Sequence, residues 1–200
     1  MPSIDLSELP LNWELAVSRY ERDVRDDFFP DPLRNRDLFA AANRKTRPLF
    51  DLTEYAPETA ENWDVPKDNL TLRHSIHISA VDRLVYQALI DHLAPVCAPV
   101  FNERSYAYKL RGPEDPEMFC RVVEQNNAFY DAVRVRLESN PKAVVVVADV
   151  AQYFENISFE ILKRKLIDLT KAKLGHPTRV VIDVLIECLQ KWASLGCKLS

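Results

Sequence analysis

The sequence VVVVADVAQYFENI, residues 144–157, is the most informative segment of this chain. Four consecutive valines lead to one carboxylate, Asp149, and two aromatic residues follow it. A short run this rich in β-branched residues predicts a strand that is buried on both faces. A carboxylate at the end of such a strand is costly to bury alone, so we expect it to have a partner, and a divalent cation is one.

The flanking sequence predicts more helices than strands. Six segments are predicted to be helical, with Ser79 and Ser158 as N-caps: 11–26, 33–44, 80–95, 116–137, 159–169 and 177–195. Alternating residues predict a strand over 70–78, in a hairpin with 62–65, and a short strand over 105–110. This order predicts an α+β fold in which separated strands pair non-locally.

Charge is divided unevenly along the chain. The net charge is −4, which argues against a general basic coat for nucleic acid. Residues 1–70 carry 9 basic and 15 acidic side chains, whereas residues 71–200 carry 17 and 15. Contacts with a polyanion are therefore expected only in the second part. The acidic first 70 residues are a candidate docking region for a protein partner.

The sequence predicts a cytoplasmic protein without a membrane span. No apolar run approaches the roughly 20 residues that cross a bilayer, and the N-terminus lacks a basic, apolar leader. The four cysteines show no CxxC spacing, which favours reduced thiols. Three glycines cannot build a Walker-type phosphate loop.

Two groups at the end of the valine run are candidate metal ligands. Phosphoryl transfer by two metal ions needs hard oxygen ligands, and the Asp149 carboxylate and the Val150 carbonyl are of that kind. The alternative is a solvated aspartate that caps a turn. Tyr153 and Phe154 are candidate substrate contacts, because an aromatic ring beside a sugar excludes a 2′-hydroxyl by bulk. Their alternative role is to fill the core.

Arg73 is the third candidate, on the polar side of the strand predicted over 70–78. It is available for bidentate contacts with a triphosphate. The alternative is an exposed arginine that pairs with a nearby acid. Asp82 and Arg83 open the next predicted helix, where the helix dipole favours the carboxylate, so a structural role is expected for Asp82.

Three blocks together resemble the front half of a reverse transcriptase of the group II intron and retron type. In RHSIHISAVDR, residues 73–83, an arginine is followed nine positions later by Asp-Arg at the start of a helix. FNERSYAYKLR, residues 101–111, is similar to the family's Phe…Ser-Tyr-Gly-Phe-Arg run. Asp149 and Phe154 match the first metal-binding aspartate and the aromatic sugar gate. Thr71 departs from the family, which often has a lysine there.

The resemblance implies an RNA-directed DNA polymerase with a right-hand fold. It implies an N-terminal helical extension over 1–46, fingers over 47–140 and the beginning of the palm over 141–200. It also implies Mg²⁺ as cofactor, dNTPs as substrates, an RNA template and a DNA product. Likeness to bacterial reverse transcriptases attached to antiphage defence implies an antiviral role.

The family's Gln-Gly and Tyr-x-Asp-Asp motifs do not occur in these 200 residues. One aspartate cannot hold two magnesium ions, so we expect the 200 residues alone to be inactive. Two other functions stay open. One is a non-catalytic binding or assembly module with a polymerase-like fold, and the other is a nucleotidyl transferase that works without a template.

Overall fold

The computed structural model describes seven stretches of the chain: residues 3–25, 51–66, 72–100, 105–140, 142–150, 156–170 and 176–193. These stretches contain five α-helices: α1 (Trp13–Arg25), α2 (Ala80–Cys97), α3 (Val122–Ser139), α4 (Phe159–Thr170) and α5 (His176–Ala193). A short 3-10 turn, Ala98–Val100, extends α2. The helix predicted over 33–44 lies outside the described residues, and so does the helix end predicted at Gly196.

Local signals in the sequence fix where the helices begin. The Asn12 side chain accepts the Leu15 amide at the start of α1. Ser79 caps α2 by accepting the Asp82 amide, and the Ser158 side chain accepts the Ile161 amide at the start of α4. These side-chain oxygens satisfy amides that have no partner within the first helical turn. The predictions of Ser79 and Ser158 as N-caps are confirmed.

Strands β1 (Glu61–Pro66) and β2 (Leu72–His77) form the predicted antiparallel hairpin. Glu61 pairs with His77 at its base, and Val65 pairs with Arg73. The Trp63 and His77 rings stack with centroids 4.1 Å apart. Within the described residues, these two strands form the only sheet, and their pairing is local where non-local pairing was predicted.

Helix α2 lies at the centre of the core. It packs against α1, α4 and α5, and α4 also packs on α5. Ile4 pairs with Tyr55 in an isolated bridge, so the residues before α1 join the segment 51–60. Fully buried apolar side chains from these elements form the centre of the packing: Leu6, Val85, Leu89, Val181, Ile182 and Cys188. The mixed, helix-rich fold is the α+β class that the sequence predicts.

The valine segment differs from its prediction. Residues 144–150 have no regular secondary structure, and the side chains of Val144 and Val147 are 86% and 91% exposed. The prediction of a strand buried on both faces is therefore wrong for this stretch. The physical reason is the lack of a partner: the two strands of the described part pair with each other, and neither lies beside the valines.

The segment between α2 and α3 also departs from its prediction. Residues 105–110 do not form a strand, because Tyr108 has a φ of 56°, which turns the chain out of the extended conformation. Leu110 and Phe119 instead form one isolated bridge that closes a loop. Helix α3 consequently begins at Val122 and not near residue 116. It ends before Asn140, as predicted.

No helix in the described stretches is long and apolar enough to cross a membrane.

Candidate functional site

The junction of β2 and α2 contains the first candidate block. Arg73 lies in β2, opposite Val65, and its side chain is outside the described part of the structure. The strand ends at His77, Ser79 caps α2, and Asp82 lies in the first helical turn. The block thus has a strand that carries the arginine and a helix that opens with Asp82 and Arg83. The guanidinium of Arg83 lies over the Tyr20 ring of α1.

Asp82 is the centre of a buried polar cluster. Asp82 is only 1% exposed, and both of its carboxylate oxygens accept hydrogen bonds. The Tyr55 hydroxyl donates to Oδ1 at 2.5 Å, while the Trp192 indole N–H donates to Oδ2 at 3.2 Å. The backbone amide of Glu58 also donates to Oδ2, at 3.1 Å. One carboxylate therefore joins the segment before β1, the start of α2 and the end of α5.

Burial dominates the electrostatics of this cluster. Loss of solvent raises the pKa of Asp82 above its ordinary value, and the hydrogen bonds from Tyr55, Glu58 and Trp192 partly oppose that rise. Burial also raises the pKa of Tyr55. The Cys188 thiol lies 4.0 Å from the Tyr55 hydroxyl, and burial raises its pKa to about 12. Cys188 is therefore a protonated thiol at neutral pH and a poor nucleophile.

The Asp82 cluster is a structural anchor and not a metal centre. Three donors already occupy its carboxylate: two belong to the segment before β1 and one to the end of α5, while Asp82 itself lies on α2. Hydrogen bonds to a charged group stabilise by about 1.5–3 kcal/mol each, which makes these contacts strong enough to fix the three segments. The structural role predicted for Asp82 is confirmed, but with buried partners that the sequence did not indicate.

Asp149, the predicted catalytic residue, lies on the exposed valine segment. Its Oδ1 accepts the amide of Val150 at 2.9 Å, and Val150 is 66% exposed. Within the described residues no group of three or more His, Cys, Asp or Glu side chains could hold a metal ion. The described part thus supplies one carboxylate at this position, which is fewer than a two-metal centre needs.

Of the other predicted site residues, Tyr153 and Phe154 lie outside the described residues, and so does the side chain of Arg73. On α4, Lys163 forms an ion pair with Asp183 of α5 at 2.7 Å, whereas Arg164 and Lys165 are exposed. A pair of this kind at the surface contributes little stability.

A second buried cluster, around Arg19, was not predicted. The Arg19 guanidinium donates to Oδ1 of Asp91 at 2.5 Å and to the Asp115 carbonyl at 2.7 Å and 3.0 Å. It also donates to the carbonyls of Gly112 and Pro113, at 3.3 Å and 3.2 Å. Oδ2 of Asp91 is buried without a partner among the described residues, and burial raises the pKa of this carboxyl.

Sequence alone did not indicate the pairing of Arg19 with Asp91. Arg19 and Asp91 are 72 residues apart, and both fall within helices whose polar residues are ordinarily exposed. The Gly112-Pro113 turn was the one local hint, because a tight turn leaves carbonyl groups without partners in a helix or a sheet.

Comparison of the chain with protein-family models, with curated proteins and with solved structures gave no significant match.

Proposed function

We propose that this chain forms the fingers and the beginning of the palm of a cytoplasmic reverse transcriptase. The proposed reaction is transfer of a deoxynucleotide to a DNA 3′ end, directed by an RNA template. Arg73 would contact the triphosphate, Asp149 would contribute to the catalytic centre, and Tyr153 and Phe154 would contact the deoxyribose. A role in antiviral defence is part of the proposal.

The observation that carries the proposal is the local structure of the block at residues 73–83. The resemblance implies an arginine followed nine positions later by Asp-Arg at the start of a helix. Arg73 lies in β2, and Asp82 and Arg83 lie in the first turn of α2. The helix begins at this point because Ser79 caps it, so the register between Arg73 and the helix start is fixed.

The exposure of Asp149 is compatible with a role in binding a substrate or a cofactor. Its carboxylate is at the surface, next to the exposed Val150. Magnesium belongs to the proposal, with the Asp149 carboxylate and the Val150 carbonyl as two of its ligands. When bound, the metal would supply positive charge that stabilises the phosphates of the transition state. Further carboxylates would be needed to complete such a centre.

Template-directed synthesis by the full-length protein is the test of this function. The protein is incubated with magnesium, a DNA primer on RNA templates of four defined sequences, and all four dNTPs. Sequenced products that are complementary to each template support the proposal. Products with the same sequence on every template would indicate a nucleotidyl transferase that works without a template. Absence of any DNA product would favour the non-catalytic binding module.

The sugar contact has a separate test in the same assay. Replacing Phe154 by alanine removes the ring proposed to exclude a 2′-hydroxyl. Incorporation of ribonucleotides relative to deoxyribonucleotides should then rise by about tenfold or more. Phe159→Ala, five residues further on at the start of α4, is the control and should leave this ratio unchanged.

A further inference from the structure

Asp82 contacts the chain at both ends of the β1–β2 hairpin, through its carboxylate at one end and its backbone amide at the other. On the incoming side, Oδ2 accepts the amide of Glu58, three residues before β1 begins at Glu61. On the outgoing side, Asp82 belongs to the first turn of α2, and its amide donates to Ser79, two residues after β2 ends at His77. The segments just before and just after the hairpin therefore both form hydrogen bonds with the same buried residue, Asp82.

Two side chains connect this point to the core. Trp192, at the end of α5, donates to Oδ2 and is 4% exposed. Tyr55 donates to Oδ1, is 3% exposed, and its backbone pairs with Ile4. Within the described residues no cation pairs with the carboxylate, so these hydrogen bonds alone compensate for its burial. Loss of one donor should therefore weaken the whole attachment.

The hairpin needs support from the rest of the chain, because a two-stranded sheet is marginally stable by itself in water. Leu72 and Ile76 of β2 are 55% and 50% exposed, so these two apolar side chains are not packed into the core. The base of the hairpin, where Asp82 lies, is an attachment to the helices that the described residues do show.

We infer that Asp82, with Tyr55 and Trp192, is a positioning residue that fixes the β1–β2 hairpin on the helical core and so sets the position of Arg73. The link to Arg73 rests on the proposed function, since it assumes that Arg73 contacts a nucleotide. The attachment of the hairpin does not depend on that function and can be measured separately.

The test uses Tyr55→Phe in the full 200-residue chain, because this change removes one donor to Asp82 and keeps the ring. Tyr86→Phe is the matched control: Tyr86 lies on α2, its ring meets Trp192 edge-on, and it is not among the hydrogen-bond donors to Asp82 in the described structure. Amide hydrogen exchange is followed in β1 and β2 in both variants. Tyr55→Phe should speed exchange there by about tenfold or more, and the control by less than about twofold.

Unchanged exchange in the hairpin of Tyr55→Phe, with a lowered melting temperature, would overturn the inference, because Tyr55 would then support only the core. Trp192→Phe removes the second donor and should give the same acceleration in β1 and β2. If it does not, the joint role of the cluster is overturned.

Binding of a magnesium–dNTP complex is measured in the full-length protein for wild type, Tyr55→Phe and Tyr86→Phe. Tyr55→Phe should raise the dissociation constant by about tenfold while Tyr86→Phe leaves it unchanged. Faster hairpin exchange with an unchanged dissociation constant would overturn the positioning of Arg73. Wild type that binds no nucleotide would count against the proposed function, whereas the exchange rates would still decide the attachment.

Discussion

A buried guanidinium, that of Arg19, adds an ion pair with Asp91 to the packing of α1 on α2. Breaking a buried ion pair leaves an uncompensated charge, which costs far more than breaking an exposed pair. The next turn of α1 offers a comparison, since Arg22 pairs with Glu117 but its side chain is 51% exposed. Both arginines form ion pairs, but only that of Arg19 is buried, so comparing them measures the effect of burial on the energy of an ion pair.

Arg19→Met should lower the free energy of unfolding by about 3–5 kcal/mol, because it leaves Asp91 buried and unpaired. Arg22→Met should cost at most about 1 kcal/mol. Urea denaturation measures both values. The double variant Arg19→Met/Asp91→Leu should be more stable than Arg19→Met, since no buried charge remains. Equal costs for Arg19→Met and Arg22→Met would show that burial of the first pair has no energetic effect.

Titration of Asp82 and Asp91 should make the free energy of unfolding fall as the pH rises. Burial raises the pKa of each carboxyl above its ordinary value of 3.8. Between pH 3.8 and the raised pKa, the folded chain binds more protons than the unfolded chain, so stability falls as pH rises through that window. Above the window this contribution is constant. Asp82→Asn should reduce the fall in stability as pH rises above 3.8, and denaturation at several pH values measures it.

At the scale of elements, the valine segment and the hairpin show what sequence patterns can predict. The hairpin and the Ser79 cap follow from neighbouring residues, and both are confirmed. A run of valines indicates that a strand is favoured, but it does not predict whether that strand is buried. Burial requires partner strands elsewhere in the chain. Residues 144–150 have no such partner in the described part. The Asp82 cluster could not be predicted, since Tyr55 and Trp192 are 27 and 110 residues from Asp82.

One substitution distinguishes an exposed valine segment from a buried strand. Val146 is 83% exposed, so Val146→Ala should change the free energy of unfolding by less than about 0.5 kcal/mol. Val181 of α5 is fully buried, and Val181→Ala should cost about 2 kcal/mol. Thermal or urea unfolding measures both. If Val146→Ala lowers the free energy of unfolding as much as Val181→Ala does, the valine segment is buried and the prediction of a buried strand is correct.

At the scale of the whole molecule, the core is formed by α1, α2, α4 and α5 with the segments beside them. Cys97 and Cys188 belong to this core, whereas Cys120 lies partly exposed before α3. The three thiols therefore report on the integrity of the folded chain.

Alkylation should follow this order of burial. Among the three described cysteines, iodoacetamide should modify Cys120 first, and Cys188 only when the chain unfolds, because burial raises the pKa of Cys188 to about 12 and leaves it no exposed surface. Mass spectrometry of peptides from partly modified protein gives the rate at each cysteine. Modification of Cys188 as fast as that of Cys120 under native conditions would contradict the packing of α5 on α2.

The most direct test of the proposed function replaces Asp149 in the full-length protein. Incorporation of labelled dNTPs on an RNA template is measured for wild type, for Asp149→Asn, and for Asp131→Asn, an exposed aspartate of α3, as control. Asp149→Asn should reduce incorporation by about a hundredfold or more, since even outer partners of a metal ligand contribute 10–100-fold. Asp131→Asn should match wild type. Unchanged synthesis by Asp149→Asn would contradict the assignment of Asp149.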